Sequence, residues 1–525
     1  MKLQINNLVL FPDHDLSVEG IQRHIQKQYN CPELKLEAIL RKSLDGRKKN
    51  RIHYLLRVVV SLSRNDAEQL LISKDVSVFE EPELPDVPKP LIPGHVVIVG
   101  SGPAGLFAAL RLLKSGLKVT LLERGKNLEA RSADIKTLEE TGTLNPESNV
   151  VFGEGGAGTY SDGKLTARTR RPESTWFYET LVNHGADPSV KYEAKPHIGT
   201  DALIGILRSL RQKLLSRGGT IHFSEKITEL IISGEKVRGI RTASGREFTA
   251  DAVILATGHS ARDTYAMLRA QGITMEQKGF ALGVRVEHPA ELIREIQYGT
   301  SRYRDILPPA EYALAWNNPE SRRGTYSFCM CPGGRVINSS SEKGLHCVNG
   351  MSLSDRGGAF SNAALVVSIP KETLRSDLFS GIALQQTIEA AAWSAGAEGK
   401  AAPAQRLTSF LKQKEDVRLP VTSYLPKVEP ANVRSYLPAD IADELAAALP
   451  RLNNKMKGFI TDEAILIGSE TRTSSPLRIT RGEDFSSVSH RNLFPAGEGS
   501  GYAGGIVSSA VDGIRVADAV ITSLR

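Results

Sequence analysis

Cysteine is scarce in this sequence, and its scarcity excludes one class of protein. Four cysteines in 525 residues cannot form the dense disulfide framework of a small secreted domain. Long hydrophobic runs are missing as well, so no segment reaches the roughly 18 apolar residues that a transmembrane helix needs. The first residues, 1–7, lack the uninterrupted apolar stretch of a secretory signal. We therefore expect a cytoplasmic protein without a membrane partner.

The sequence also has only a small excess of positive over negative residues. The formal net charge is +7, with 24% charged and 41% apolar residues, an ordinary composition for a globular protein. A chain of this length has room for several domains and a sizeable core. The small positive excess permits an acidic partner but does not require one.

The most informative motif lies within residues 95–125. Val96–Val99 predicts a buried strand of a parallel sheet, and the chain then reads Gly100-Ser101-Gly102-Pro103-Ala104-Gly105 before an Ala- and Leu-rich stretch. Such glycines allow a tight turn, close approach of the backbone to a pyrophosphate, and close helix packing. A second apolar strand ends at Glu123, whose carboxylate can accept a hydrogen bond from a ribose hydroxyl, and Arg124 follows. The whole pattern predicts a dinucleotide site.

Two later segments indicate which dinucleotide is bound. Residues 251–258 form another apolar run that ends in Ala256-Thr257-Gly258, and residues 492–506 pass through Gly497-Glu498 to Gly504-Gly505-Ile506. An NAD domain completes its site locally, whereas flavoproteins of the glutathione-reductase type return to the site near the C-terminus. The chain resembles the second pattern, which implies non-covalent FAD, with the adenine near Ile227.

A glycine-rich stretch, Val151–Leu165, lies between these segments. Its glycines formally repeat the first motif, but no strand-helix-strand unit with a terminal acid follows, so we predict no second nucleotide domain. A glycine-rich backbone suits a flat flavin ring, because side chains would hold the backbone N–H groups away from it. The alternative is an exposed loop. The cofactor contacts predicted here are Gly156, Ala157, Gly158, Thr159, Ser161, Asp162, Gly163, Lys164 and Leu165.

The rest of the sequence divides into units around this core. Residues 1–80 have the β-α-β-β-α-β order of a ferredoxin-like α+β domain, and the proline-rich residues 81–94 form a linker. We assign 95–270 to the FAD-binding domain, 271–460 to an inserted α+β substrate domain, and 461–525 to the C-terminal return of the FAD-binding domain. The predicted fold class is α/β, with a Rossmann-type FAD-binding domain built from discontinuous segments.

The hairpin of the N-terminal domain is strongly basic. It is either a solvated loop or a contact for RNA or another acidic partner. An RNA-binding sheet also needs aromatic residues for base stacking, and Tyr54 alone does not supply them. The basic residues are Arg41, Lys42, Arg47, Lys48, Lys49 and Arg51.

Two cysteines in the inserted domain are candidates for chemistry. Cys329 and Cys331 lie on a predicted strand, where a spacing of two places both sulfurs on one face. The sequence leaves three alternatives open: buried small residues, a thiol relay to the flavin, or a metal site with His346 and Cys347 nearby. We expect no metal, and we retain Cys331 as a catalytic candidate.

Arg472 is the second catalytic candidate. It lies in a polar run, Glu470–Ser475, shortly before the chain returns to the FAD-binding domain. A guanidinium can bind an anionic substrate or the anionic reduced flavin through two parallel hydrogen bonds. The alternative is a surface ion pair with Glu470.

Several longer motifs are similar to those of a bacterial family of uncharacterised FAD-dependent dehydrogenases. These motifs are residues 326–334, 258–264, 470–476 and 496–505, and the similarity extends to the Asp45–Lys49 hairpin. The resemblance implies FAD and this architecture, and it leaves the reaction open. We expect an FAD oxidoreductase that exchanges hydride between flavin N5 and a small molecule, with NAD(P)H as a possible transient donor. Two other functions remain open, a flavin-dependent RNA-modifying or RNA-binding protein and a redox-sensing module without turnover.

Overall fold

The N-terminal domain has the predicted order of elements. The structure is a computed structural model that describes residues 1–81, 86–166, 171–299 and 301–524. The four strands form an antiparallel sheet in the order β2-β3-β1-β4, and the buried face of β1 packs with Ile21 and Ile25. The elements are β1 (Lys2–Leu10), α1 (Val18–Tyr29), β2 (Lys35–Asp45), β3 (His53–Ser61), α2 (Arg64–Leu70) and β4 (Val76–Val78).

The basic hairpin contacts the rest of the protein. Lys42 pairs with Glu193 at 3.0 Å, and Lys49 donates a hydrogen bond to the carbonyl of Ile296 at 2.8 Å. Ile52, which is fully buried, belongs to the core of the inserted domain. Part of the basic cluster therefore holds the N-terminal domain in place. The predicted linker prolines Pro82 and Pro85 lie outside the described residues.

The FAD-binding domain is organised around a five-stranded parallel sheet in the order β23-β11-β5-β6-β7. A three-stranded antiparallel sheet, β10-β9-β8, accompanies it. Its first-part elements are β5 (His95–Val99), α3 (Pro103–Ser115), β6 (Lys118–Leu122), α4 (Leu128–Thr141), α5 (Pro172–Asn183), α6 (Thr200–Ser216), β7 (Thr220–His222), β8 (Ile227–Ser233), β9 (Lys236–Thr242), β10 (Glu247–Thr249), β11 (Ala252–Leu255) and α7 (Arg262–Ala270).

The inserted domain contains a seven-stranded mixed sheet in the order β14-β15-β18-β13-β21-β19-β20. Its elements, with the junction strand that precedes them, are β12 (Met275–Gln277), β13 (Phe280–Pro289), α8 (Ala290–Tyr298), β14 (Ala315–Asn317), β15 (Gly324–Cys331), β16 (Arg335–Asn338), β17 (Val348–Met351), β18 (Phe360–Ile369), α9 (Ser380–Ala395), β19 (Ala402–Arg406), α10 (Leu407–Lys412), β20 (Val428–Pro430), α11 (Ala439–Lys455) and β21 (Ile465–Glu470).

The boundary predicted at residue 460 is too early. Strand β21 (Ile465–Glu470) pairs with β13 and β19 and so completes the inserted sheet. The chain returns to the FAD-binding domain afterwards, through β22 (Leu477–Ile479), β23 (Leu493–Pro495) and α12 (Ile506–Ser523). The predicted α/β class and the discontinuous Rossmann-type domain are confirmed.

The topology explains where a ligand can bind. Strands β5, β6, β11 and β23 run parallel, so their carboxyl ends meet at one edge of the sheet. Crevices at this edge are the usual ligand sites of open α/β sheets. In the described part of the chain, no helix is long and apolar enough to cross a membrane.

Candidate active site

A cavity of about 550 Å³ lies at the carboxyl edge of the parallel sheet. One wall comes from the loops that follow β5, β6, β11 and β23, together with the glycine-rich loop. The other wall comes from the inserted domain, including residues 311–313 and 327–330, with Glu470, Arg472 and Thr473. This volume lies in the range of small-molecule and cofactor sites.

Glycines leave the first wall open for a large flat ligand. A Cβ atom added to Gly102 would meet only the Cα of Gly156, at 3.9 Å. One added to Gly258, Gly504 or Gly505 would meet no protein atom within 4 Å. Because these positions line the cavity, side chains there would fill the space that a cofactor needs. The cradle therefore fits a dinucleotide.

Two helices begin at this wall. Helices α3 and α12 start after Gly102 and Gly505, and neither N-terminus is capped by a side chain. Their first-turn N–H groups lack helical partners, and each helix dipole presents positive potential at this end. Together they form a binding site for the pyrophosphate of a dinucleotide.

Glu123 fixes the loops at the end of β6. Its carboxylate accepts hydrogen bonds from the Ser101 N–H and hydroxyl at 2.9 and 2.8 Å. It also accepts from the N–H groups of Gly125 and Gly153 at 2.9 and 3.0 Å. Each carboxylate oxygen of Glu123 thus already accepts two hydrogen bonds, which is about as many as it can accept. A ribose hydroxyl that also bonds to Glu123 would have to share one of these oxygens, for example with the Ser101 hydroxyl.

A buried arginine that the sequence analysis missed holds the glycine-rich loop. The fully buried Arg131 donates hydrogen bonds to the carbonyls of Asn149, Val150, Glu154 and Gly156, at 2.6 to 2.9 Å. Burial lowers the pKa of Arg131 to about 10, so the guanidinium remains charged at neutral pH. These four hydrogen bonds fix the position of the glycine-rich loop in the cavity wall.

Charged side chains join the glycine-rich loop to the inserted domain. The buried Asp162 accepts hydrogen bonds from Ser352 Oγ at 2.5 Å and from Arg356 Nη2 at 2.6 Å. Arg356 also donates to Glu311 at 2.9 Å, and Lys195 pairs with Glu311 at 3.0 Å. The cavity wall on this side is therefore polar and cross-linked.

The cysteine prediction requires a correction. Cys329 lines the cavity, whereas Cys331 is fully buried and does not. Lys164, on the glycine-rich loop, donates a hydrogen bond to the carbonyl of Met330. No group of metal-ligating side chains occurs among the described residues. Of the two thiols, Cys329 is the one a ligand can reach.

Arg472 lines the cavity, but it is not a surface partner of Glu470. Its Nε and Nη2 donate to Glu389 at 3.0 and 2.9 Å, and its Nη1 donates to Ser341 Oγ at 2.6 Å. Glu470 instead accepts from the fully buried Arg285 at 2.8 Å. The alternative of a surface pair with Glu470 is therefore wrong, and a direct role of Arg472 in catalysis stays a prediction.

Glu389 is the centre of a buried ion network. Besides Arg472, it accepts hydrogen bonds from Arg262 at 2.8 and 2.9 Å and from Thr471 Oγ1 at 2.5 Å. Burial alone would raise its pKa, but the charges of Arg472 and Arg262 outweigh burial and lower the pKa to about 2. This fixed carboxylate orients Arg472 at the cavity wall.

All predicted cofactor contacts line the cavity except four. The Ser101 hydroxyl is bound to Glu123, and the Thr159 hydroxyl donates to the carbonyl of Glu154 at 3.1 Å. Leu165 is fully buried in the hydrophobic core. Gly105 is needed for packing, because a Cβ there would lie 1.9 Å from the carbonyl oxygen of Gly100. These four residues support the wall from behind.

The sequence analysis missed a titratable pair in the cavity. His259 Nε2 lies 3.6 Å from Glu498 Oε1. Burial, reinforced by Arg472 and Arg262, lowers the pKa of His259 to about 3. Burial raises the pKa of Glu498 to about 7. His259 directly follows the Ala256-Thr257-Gly258 motif, so its position could have been inferred from the sequence.

Comparisons with known proteins agree with this geometry. Residues 94–279 match the pyridine nucleotide-disulphide oxidoreductase family, and residues 279–473 match the family described as FAD-dependent protein, C-terminal domain-like. A Clostridium beijerinckii protein, described as uncharacterized, is 38% identical over 532 residues and 99% of each chain. Protein FixC of Azotobacter vinelandii is 29% identical over 172 residues, which are 32% of this chain and 37% of FixC.

A solved structure of FAD-bound glycerol-3-phosphate dehydrogenase from Bacillus halodurans is 10% identical, with a TM-score of 0.36. That similarity covers 83% of this chain and 64% of the dehydrogenase.

The fold, the glycine cradle and the family matches define an FAD-dependent oxidoreductase. The chain belongs to the family of FAD-dependent proteins that includes the Clostridium beijerinckii relative. This confirms the resemblance and the cofactor inferred from the sequence.

Proposed function

We propose that the protein transfers hydride between FAD and a small molecule bound against the inserted domain. The observation that supports this proposal is the chemical difference between the two walls of one cavity. The wall at the parallel sheet is rich in glycine and helix N-termini, whereas the opposite wall carries Glu311, Asn349 and Cys329. The first wall suits a dinucleotide, and the second suits a polar substrate.

The two walls indicate which part of the reaction depends on FAD and which depends on the protein. Bound FAD supplies the hydride chemistry, while the protein supplies orientation and electrostatics. Arg131 and Lys164 fix the loop that forms part of the FAD wall. Glu498, with a pKa of about 7, can hold or release a proton at neutral pH. His259 remains neutral and can take part in hydrogen bonds without adding charge.

A screen for substrate tests the proposal. The purified holoprotein is mixed anaerobically with metabolites, and loss or recovery of the visible flavin absorbance is followed. We expect at least one polar small molecule to reduce or reoxidise the flavin, and failure of all tested compounds and of NAD(P)H would contradict the proposal.

Glu498→Gln provides a second measurement. It should retain FAD but change the pH dependence of flavin reduction near pH 7, because it removes the titrating carboxylate. Glu276→Gln is the control, since Glu276 forms only a half-exposed pair with Arg478. An unchanged pH profile in Glu498→Gln would remove this residue from proton transfer.

NAD(P)H, if it donates electrons, is proposed to enter the same cavity. Among the described residues, only one sheet has parallel strands in the Rossmann order. NAD(P)H should therefore compete with the small-molecule substrate. Binding of both at once, without mutual interference, would contradict a shared cavity.

A further inference from the structure

The strand that carries the two cysteines is irregular where they occur. In a regular strand, residues two apart are separated by roughly 6.6 Å, near the upper limit for a disulfide. Here Cys329 has a left-handed backbone, with φ of +44°, and the register against β18 shifts between Phe328 and Cys331. The Cys331 thiol donates a hydrogen bond to the carbonyl oxygen of Cys329, with a sulfur–oxygen distance of 3.4 Å. The irregularity thus folds the Cys331 side chain back against Cys329.

The cysteine pair lies between two cationic side chains. Arg285 Nη2 donates to the Cys329 carbonyl at 2.6 Å and lies 3.4 Å from the Cys331 sulfur. Lys164 donates to the carbonyl of Met330, the residue between the cysteines. Positive charge at this distance favours a thiolate, which is the nucleophilic form of cysteine.

The two cysteines differ in access. Cys329 is partly exposed and lines the flavin cavity, whereas Cys331 lies directly behind it. Cys31 and Cys347 are buried and do not line the cavity. An exposed attacking thiol with a buried partner is the arrangement of a redox-active pair.

We propose that Cys329 and Cys331 form a dithiol–disulfide couple that exchanges two electrons with FAD. The inference rests on the proposed function, because it adds a second electron store to the same cavity. In the oxidising direction, the Cys329 thiolate and the Cys331 thiol form an S–S bond. The oxidised flavin accepts the electron pair and the Cys331 proton and becomes the anionic reduced form. Charge and atoms balance without another reactant.

Access assigns Cys329 as the attacking thiol, because it lines the cavity and Cys331 does not. Hydrogen bonding with the Cys331 side chain, assisted by the charges of Arg285 and Lys164, lowers the pKa of Cys329 to about 6. The same hydrogen bond raises the pKa of Cys331, which therefore remains a thiol. The charged groups that influence or respond to Cys329 are Arg285, Lys164, Asp162, Glu470 and Glu498.

Anaerobic reductive titration of the holoprotein tests the couple. The protein is first oxidised with diamide, freed of the reagent, and titrated with dithionite. We expect four electrons per FAD, two for the flavin and two for the disulfide. Cys329→Ser and Cys331→Ser should each accept only two. Cys31→Ser is the control, since Cys31 lies in the core of the N-terminal domain, and it should still accept four.

Peptide mapping of the oxidised wild-type protein provides a test that does not require the Cys→Ser variants to fold. A Cys329–Cys331 disulfide that disappears on dithionite treatment would support the couple. Two electrons per FAD in the wild type and no such disulfide would overturn it. If a small molecule still reduces the flavin in that case, the proposed hydride transfer stands and only the cysteine couple fails.

Discussion

Replacing Glu389 with Gln should destabilise the protein more than most single changes. Glu389 is fully buried and accepts hydrogen bonds from both Arg262 and Arg472. A glutamine of the same size keeps one acceptor oxygen, but it removes the negative charge and points N–H donors toward the two guanidinium groups. Two buried cations would then face each other, with only the partly exposed Glu342 to offset them.

Two estimates give the expected decrease in the free energy of unfolding of Glu389→Gln. The lowering of the Glu389 pKa from 4.5 to about 2 corresponds to about 3 kcal/mol at about 1.4 kcal/mol per pKa unit. Breaking a buried pair by removing one partner costs about 3 to 5 kcal/mol. We expect a loss near the lower figure, because Glu342 compensates in part.

Urea unfolding of the holoprotein at pH 7, followed by tryptophan fluorescence, measures this loss. Trp316 and Trp393 lie in the inserted domain, the second on the same helix as Glu389. The control is Glu247→Gln, whose half-exposed pair with Arg241 should contribute less than about 1 kcal/mol. Equal losses in Glu389→Gln and the control would refute the reasoning. Acid should have the same effect as the substitution, because protonation also removes the charge of Glu389. Since folding lowers the pKa of Glu389, its ionised form stabilises the folded protein above pH 4.5, and this contribution to the free energy of unfolding is lost as the pH falls toward 2.

Three further outcomes are expected. Alkylation of Cys329 by iodoacetamide, mapped by mass spectrometry, should rise with pH around pH 6, and a midpoint near the ordinary thiol value of about 8.5 would contradict the assigned thiolate. Arg472→Lys should keep FAD, but its free energy of unfolding in urea should fall by about 1 to 2 kcal/mol and its flavin should be reduced more slowly. The reason is that an ammonium group cannot make the two parallel hydrogen bonds to Glu389. Wild-type stability and a wild-type reduction rate would exclude Arg472 from the active site. Tyr312→Phe should leave the free energy of unfolding nearly unchanged, since the buried Tyr312 hydroxyl has no protein partner among the described residues. Tyr436→Phe should lower the free energy of unfolding by about 1 kcal/mol, because it removes a hydrogen bond to the Gly468 carbonyl. Equal losses in the two variants would contradict this reasoning.

The sequence predicted best what depends on local pattern. The glycine motif after β5 and the returns at Gly258 and Gly497 line one cavity, and each could be located in the sequence because it follows an apolar strand. Parallel strands bring their carboxyl ends to one edge whatever their separation in the chain. The β-α-β-β-α-β order predicted for residues 1–80 also agrees with the structure.

What the sequence could not predict depends on distant or irregular contacts. Arg472 and Glu389 are 83 residues apart, and nothing in either segment specifies the pairing, so Glu470 was chosen as the nearest acid. A regular strand would place Cys329 and Cys331 on the same face, so the sequence did not distinguish their access, and the left-handed backbone at Cys329 is visible only in the structure. Arg131 had no motif to indicate that it would be buried under the glycine-rich loop.

The most direct test of the central claim is to measure FAD bound by wild-type protein and by Gly102→Val. A Cβ at Gly102 meets no protein atom closer than 3.9 Å, so the fold should accept valine, while its side chain would occupy the approach to the cofactor. Flavin released by denaturation should amount to one FAD per wild-type chain and almost none per folded Gly102→Val chain, with Gly46→Ala as a control whose added Cβ is also free of contacts. A folded Gly102→Val protein with full FAD occupancy would contradict the assignment of the cavity.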